Sequence, residues 1–335
     1  MDREPEELQF LGFFGIYHEA YNIIVSWRKI FSQITLAFIL PLSFIYLAQI
    51  ETSDLIFSKI MHNEHTLEWT RSGSPMYNHI QDRLTSEWTA FWIFKVMYLV
   101  FLLVLSLFST SAVVYTIACA YTTKEITFSK VISVVPTVWK RLMITFLWTF
   151  LIVFLYNFFA ILMLFLLGFT VGLSNPGAFD IIVDIVFIIW AIGFVYISVI
   201  WHLASVVSVL EESYGYKAFL KSKALIKGKM WIASVIFITL QISFIIVLVS
   251  FQKLVAHGRI GVVGKVTLGI FCFILLSILI HFALVIQTVV YFVCKSYHHE
   301  NIDKSCLAEH LEAYNLGDYA PLIRDKDIQL EQYDV

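Results

Sequence analysis

Six long apolar blocks dominate this sequence and limit what the chain can fold into. An α-helix needs about 20 mostly apolar residues to cross the hydrocarbon core of a bilayer. The blocks cover residues 30–50, 89–121, 142–171, 181–210, 231–251 and 266–294. Because 59% of the residues are hydrophobic and only 14% are charged, a water-soluble core could not bury them all. The sequence predicts an all-α, polytopic membrane protein with six transmembrane helices.

The blocks divide the chain into three predicted parts. Residues 1–29 form a cytoplasmic N-terminal segment with an interfacial helix, and residues 30–294 form the six-span transmembrane domain. Residues 295–335 form an acidic cytoplasmic tail with one short helix around residues 304–314. The acidic N-terminus lacks the basic-then-apolar order of a cleavable signal, so the first span is expected to act as an uncleaved anchor.

Lysine and arginine fall mainly on one side of the predicted membrane. Cationic loops resist translocation, so the side richer in Lys and Arg is expected to face the cytoplasm. Sixteen of the 23 cations lie in the N-terminal segment, the loops after spans two and four, and the tail, whereas six lie in the opposite loops. This asymmetry predicts that both termini are cytoplasmic.

Three predicted cytoplasmic segments resemble one another. Residues 15–31, 126–143 and 214–231 each combine an amphipathic stretch, a basic elbow and the start of a span. The elbow Trp-Arg-Lys at residues 27–29 matches Trp-Lys-Arg at residues 139–141, and the third match is looser. Two interpretations remain open, because such flanks could be shared by chance or could mark a threefold repeat of an interfacial helix and two spans.

The first and third segments are expected to lie in the headgroup region as amphipathic helices. In the third, Lys217 and Lys221 form a polar face, and Tyr216 and Leu220 lie opposite. A cation near an anionic leaflet contributes about 1 kcal/mol of attraction. The predicted lipid-headgroup contacts are Arg28, Lys29, Lys140, Arg141, Lys217, Lys221, Lys223, Lys227 and Lys229.

The third segment also carries a family resemblance. Residues 211–229, EESYGYKAFLKSKALIKGK, are similar to the cytoplasmic loop of bacterial membrane domains found beside glycerophosphodiesterases, with the same acidic start, Gly, Ala, basic-Ser and Leu-x-x-Gly order. Over its whole length the chain resembles a plant family of uncharacterised six-pass transmembrane proteins, suggested by the opening LGFFGIYHEAYNIIVSWRKIFSQITLAFILPLSFIYL. The resemblance implies a six-span fold in a eukaryotic endomembrane or plasma membrane, and it implies no activity.

Polar residues inside the predicted spans are candidates for function because they are costly in lipid. Lys95 is expected either to extend toward the headgroups or to contact Asp184 or an anionic substrate. The deeper polar residues are expected to form interhelical hydrogen bonds or to contact a ligand. The predicted intramembrane polar residues are Lys95, Asn157, Asp184, His202, Gln241, His281 and Gln287.

We predict no catalytic residue, metal site or cofactor. His62 and His65 have no cysteine partners with which to complete the four ligands of a structural zinc site. Residues 258–265 lack the first glycine and the final Ser or Thr of a phosphate-binding P-loop, and we expect a flexible turn there. The net charge of −2 gives no basic footprint for nucleic acid. Residues 319–322, YAPL, have the form of a trafficking signal, a pattern that is common by chance.

Three functions are compatible with this sequence. The first is a non-enzymatic membrane protein whose interfacial helices engage lipid, with protein partners reached through the cytoplasmic tail. The second is a facilitative transporter or channel for a solute, with its path among the six spans. The third is an intramembrane enzyme acting on lipid. Active transport is disfavoured because the spans contain few charges and one proline, Pro41.

Overall fold

The computed structural model describes residues 5–70, 73–122, 126–172, 176–256, 258 and 261–298. A 3-10 helix at Pro5–Phe10 precedes the α-helices, and π-helical turns occur at Thr35–Ile39, Gly168–Gly172 and Gln252–Ala256. In the described ranges the α-helices are α1 (Phe13–Ser26), α2 (Arg28–Ile34), α3 (Leu40–Glu68), α4 (Pro75–Tyr121), α5 (Phe128–Leu167), α6 (Pro176–Leu210), α7 (Tyr216–Leu225), α8 (Met230–Phe251) and α9 (Val262–Tyr297).

The six predicted spans are confirmed. Among the described residues, six helical stretches are long and apolar enough to cross a membrane, namely Arg28–Glu68, Pro75–Tyr121, Phe128–Thr170, Phe179–Leu210, Met230–Ala256 and Val262–Tyr297. The predicted blocks coincide with these six stretches in order and position. The fold is therefore that of a multi-pass α-helical membrane protein.

Several helices are longer than the blocks that predicted them. At 1.5 Å per residue, the 47 residues of α4 extend about 70 Å, more than twice the thickness of the hydrocarbon core. The polar segment 51–88 is largely a helical hairpin made by α3 and α4, because residues 51–68 contain neither Gly nor Pro to end the helix. Ser74 caps α4 by accepting a hydrogen bond from the backbone N–H of Tyr77 at 3.1 Å.

Fully buried side chains concentrate at one end of the bundle, which we call the packed end. It comprises residues 107–121 of α4, 131–149 of α5, 199–210 of α6 and 285–296 of α9, with residues 8–31 and α7 packed against them. Aromatic contacts join these helices: the rings of Tyr121 and Phe292 lie 4.6 Å apart, and those of Phe108 and Trp139 lie 6.2 Å apart. The packed end is therefore a continuous core.

The opposite end is loosely associated, and we call it the open end. Residues 89–106 of α4, 150–170 of α5 and 179–198 of α6 include no fully buried side chain. Here α5 and α6 pack along each other as a pair, and the Tyr156 hydroxyl donates to the Trp190 carbonyl at 2.8 Å. A separate small cluster joins α3, α8 and α9 and consists of Leu47, Val247, Phe251, Cys272 and Leu276.

The three segments that resemble one another in sequence differ in the structure. Short helices precede the first and third of these spans, where α1 leads to α2 and α7 leads to α8. In the second, α5 runs without a break through Pro136 and the expected elbow at residues 139–141. The turn expected at residues 258–265 is also shorter than predicted, because α9 already begins at Val262. Residues 304–314 and 319–322 lie outside the described residues.

Candidate functional site

The loop between α6 and α8 contains the basic, glycine-containing segment of residues 211–229. Glu211 follows the last residue of α6, and α7 crosses the packed end before Gly228 leads into α8. This loop contacts α5, α6 and α9, so three spans determine the position of α7. The loop is the candidate site because it joins the buried core of the packed end to a cationic surface.

Glu211 is the centre of a charged cluster at the packed end. Its carboxylate lies 2.6 Å from Lys221 Nζ and 3.2 Å from Lys295 Nζ, and it accepts a hydrogen bond from the Tyr291 hydroxyl at 2.6 Å. Burial raises the pKa of Glu211, but hydrogen bonds from Lys221 and Tyr291 and the charges of both lysines lower it more, so the net pKa lies below its ordinary value. The cluster ties α6, α7 and α9 together.

Gly215 fixes the entry to α7. Its backbone has φ +63° and ψ −135°, a conformation that L side chains rarely adopt. Its N–H donates to Thr145 Oγ1 of α5 at 2.7 Å, and Thr145 Oγ1 also lies 2.7 Å from Ser208 Oγ. A Cβ at this position would meet Trp148 at 3.1 Å. The loop is therefore held against α5 by a glycine that no other residue replaces without strain.

The exit from α7 is fixed in a similar way. Gly228 has φ +89°, and the ring of Tyr297 from α9 packs directly against it. His298 Nε2 lies 3.0 Å from the Lys227 carbonyl, and Lys229 Nζ lies 5.3 Å from the centre of the Tyr297 ring. The two glycines of the loop thus correspond to contacts that position α7.

Two faces of α7 have opposite character. Ala218, Ser222 and Leu225 are fully buried against the packed end. The exposed face combines apolar and basic residues, namely Tyr216, Lys217, Leu220 and Lys223. Beyond α7, Trp231 at the start of α8 is 81% exposed.

The predicted headgroup contacts are placed unequally. The ammonium group of Lys221 pairs with Glu211 at the packed end, a contact that was not predicted. The helical face drawn from the sequence missed this contact, since Glu211 approaches from outside α7. Arg141 and Lys229 are half-buried. The remaining predicted contacts have exposed side chains: Arg28, Lys29, Lys140, Lys217, Lys223 and Lys227.

Two pairs of intramembrane polar residues meet across helices. His202 Nδ1 of α6 lies 3.1 Å from Gln287 Oε1 of α9, and the His202 ring stacks on Phe237 of α8 at 4.5 Å. His281 Nδ1 of α9 lies 2.6 Å from Thr35 Oγ1. These contacts are the interhelical hydrogen bonds that one interpretation of the sequence predicted.

Lys95 contacts the neighbouring helix α3. Its ammonium group donates to Ser53 Oγ at 2.8 Å, lies near the Asp54 carboxylate and is 5.2 Å from the centre of the Phe91 ring. Its hydrogen-bond partner is therefore Ser53 of α3 rather than Asp184 of α6, because α4 pairs with α3 at this level. Lys95 stabilises the α3–α4 hairpin.

The remaining intramembrane candidates do not join these clusters. Asn157 Nδ2 donates to the Val153 carbonyl of its own helix at 2.8 Å. Asp184 and Gln241 have exposed side chains on α6 and α8. The seven candidates therefore do not line one common path in the described structure.

Sequence reasoning missed the charged cluster. Tyr291 and Lys295 were not candidates, although their spacing of four residues places them on one face of α9. Glu211 was noted only as the acidic start of the loop. Within the described residues, no group of three or more His, Cys, Asp or Glu residues could hold a metal ion.

Comparison with known protein families gives a match over nearly the whole chain. Residues 1–333 match a family described as "Domain of unknown function (DUF8558)". The chain belongs to this family. The DUF8558 match covers the packed end, the open end and the loop alike, so it identifies the whole chain as one unit. Neither a curated protein nor a solved structure matches the chain.

Proposed function

We propose that this DUF8558 protein is a non-enzymatic membrane organiser that binds anionic lipid at the packed end. The observation that carries the proposal is the exposed basic and apolar face of α7. Tyr216 and Leu220 are 51% and 47% exposed, and Lys217 and Lys223 flank them. A helix with this composition binds the interface by inserting its apolar residues and attracting anionic headgroups.

The charged cluster supports the proposal by fixing α7 before lipid arrives. Glu211 draws Lys221 inward and leaves Lys217 and Lys223 exposed. Because α7 is already positioned by Gly215 and Gly228, binding does not require the helix to fold at the surface. Less conformational entropy is therefore lost on binding.

The N-terminal segment supports the same location. Ile16, Ala20 and Ile23 of α1 are fully buried, whereas Phe14 and Tyr21 are 84% and 60% exposed. A helix with a buried face and an exposed apolar stripe fits a position in the interfacial plane. We infer that α1 and α7 are both interfacial amphipathic helices.

The charge asymmetry supports a cytoplasmic packed end. Both termini would then face the cytoplasm, in an endomembrane or the plasma membrane, as the positive-inside rule favours. We also propose that residues 211–229 are related to bacterial membrane loops and that the protein is of plant origin.

The threefold repeat is part of the proposal: α1 with α2 and α7 with α8 resemble two of its units, whereas the unbroken α5 departs from them in the second. The tail is the proposed contact for protein partners.

The polar contacts between the spans support a transporter less well than they support a membrane organiser. His202 and Gln287 bind each other, and so do His281 and Thr35. Gln287 Nε2 and His281 Nε2 have no hydrogen-bond partner among the described residues, but the one bond that each pair forms is of the kind that stabilises helix packing. A solute path would require them to separate.

The test is lipid-dependent stability of the purified full-length protein in a neutral detergent. We expect a short-chain phosphatidylserine to raise the unfolding temperature more than the matching phosphatidylcholine does. Lipid at ten times its dissociation constant would stabilise the protein by about 1.4 kcal/mol. The triple variant Lys217→Gln, Lys223→Gln and Lys227→Gln should lose this difference.

A matched control removes three cations elsewhere. The triple variant Lys59→Gln, Lys253→Gln and Lys265→Gln should respond to phosphatidylserine as the wild type does. Equal responses of both triple variants would contradict the proposal. Solute flux into liposomes that His202→Ala abolishes would also contradict it and would favour the transporter.

A further inference from the structure

Gln241 occupies an unusual place in the membrane-spanning region. It lies at the middle of α8, which runs from Met230 to Phe251, and its side chain is exposed on the outside of the bundle. It has no hydrogen-bond partner within the part of the chain that the structure describes. A polar amide at mid-span therefore faces lipid.

Several other polar side chains in the spans have partners. The exposed hydroxyls of Thr239 and Ser243, on the same helix, donate to backbone carbonyls one turn earlier at 2.8 and 2.9 Å. Asn157 does the same on α5, and Gln287 meets His202. Gln241 contrasts with all four, because an amide in hydrocarbon without a partner is energetically costly.

The residues around Gln241 form a stripe suited to helix packing. Ile238, Ile242, Ile245 and Val249 are 38%, 52%, 49% and 41% exposed. Their spacing from Gln241 of three, one, four and eight residues places all of them on one side of α8. These four residues offer a β-branched surface with the Gln241 amide along one edge.

A second copy of this chain fits that surface. An amide carries both a donor and an acceptor, so two glutamines can hydrogen-bond each other. Copies inserted in the same orientation are related by an axis along the membrane normal, which brings identical residues to the same depth. Gln241 of one copy then meets Gln241 of the other where the helices cross.

We propose that α8 is a homodimer contact in which the Gln241 amides bond across a twofold axis. The Ile and Val side chains of the stripe pack around that bond. The contact is independent of the cationic face of α7, so it holds whether or not the packed end binds anionic lipid.

The test measures self-association of the full-length protein in phosphatidylcholine liposomes by energy transfer between donor- and acceptor-labelled copies. Wild-type energy transfer should rise with protein density as a dimer requires. Gln241→Leu should weaken association roughly fivefold or more, because interhelical hydrogen bonds in membranes contribute about 1 kcal/mol each. Gln241→Asn keeps both amide functions and should associate more strongly than Gln241→Leu.

The control is Thr239→Val, which removes a polar group on α8 whose hydroxyl is already bonded within its own helix. It should associate as the wild type does, and all variants should keep the wild-type helical content by circular dichroism. A wild-type protein that stays monomeric at every density overturns the proposal. Undiminished association of Gln241→Leu overturns it as well.

Discussion

The packed end and the open end of this bundle have similar hydropathy and very different packing. Ile117 at the packed end is fully buried, whereas Ile189 at the open end is 64% exposed. Lipid tails are as apolar as these side chains, so moving a side chain from lipid into a helix–helix contact contributes little free energy to helix association. The difference shows that close packing in this protein accompanies specific polar contacts, which lie mainly at the packed end.

The largest expected effect comes from truncating a core residue at the packed end. Ile117→Ala should lower the free energy of unfolding by about 2–5 kcal/mol, because it leaves a cavity among helices that cannot collapse around it. Ile189→Ala should change stability little, since lipid fills the space. Detergent-titrated unfolding of both variants, followed by circular dichroism, gives the comparison. Equal losses would mean that the two ends are packed alike.

Removing the charge of Glu211 should have the next largest effect. Glu211→Gln leaves Lys221 and Lys295 without their shared carboxylate and should lower stability by about 1.5–3 kcal/mol. The exposed neighbour Glu212 supplies the control, because Glu212→Gln should unfold like the wild type. The same unfolding assay applies.

Lowering the pH should weaken the stabilisation that the same charged cluster provides. The pKa of Glu211 is lower in the folded protein than in the unfolded chain. Its contribution is therefore present above the unfolded-state pKa and is lost as the pH falls through the folded-state pKa. The stability difference between wild type and Glu211→Gln should shrink as unfolding is measured at increasingly acidic pH. A difference that is constant with pH would assign the effect to packing alone.

A smaller effect is expected at the entry to α7. Gly215→Ala should cost about 1–2 kcal/mol, because the positive φ strains any L residue and the added Cβ crowds Trp148. Gly12→Ala is matched, since a Cβ there meets nothing within 4 Å and φ is −89°. If the two variants have the same unfolding temperature, Gly215 does not hold the loop against α5.

The smallest effect distinguishes polar contacts at the two ends. Gln287→Leu removes the partner of His202 at the packed end and should cost about 0.6 kcal/mol. Asn157→Leu at the open end removes a bond within one helix and should change the unfolding midpoint less. A larger loss for Asn157→Leu would reverse the comparison.

The sequence was sufficient to predict the six spans, because membrane thickness sets a length that apolar blocks either reach or do not. It could not predict which end is packed. Ile117 and Ile189 are both isoleucines within equally apolar stretches of sequence. Only the arrangement of the neighbouring helices makes one buried and the other exposed. Hydropathy does not distinguish a lipid-facing surface from a helix-facing one.

The candidate site was predicted in part. The loop of residues 211–229 was identified from its basic and glycine pattern, and Lys217 and Lys223 are exposed as expected. The pairing of Lys221 with Glu211 was missed because Glu211 precedes α7 and is not part of its helical pattern. Tyr291 and Lys295 lie 80 and 84 positions from Glu211 in sequence. Contacts between distant segments leave no local pattern, and this explains the omission of Tyr291 and Lys295.

The α3–α4 hairpin has a consequence for how the protein is approached from the side opposite the packed end. Lys95 and Ser53 join the two helices near the start of the apolar block of α4, and Asn63 and Glu87 join them again at 2.7 Å, farther out. From Lys95 back to Pro75, α4 rises about 30 Å. Trp69, at the turn, is 81% exposed. Trp69 therefore presents an exposed indole at the tip of a helical hairpin that extends about 30 Å beyond Lys95.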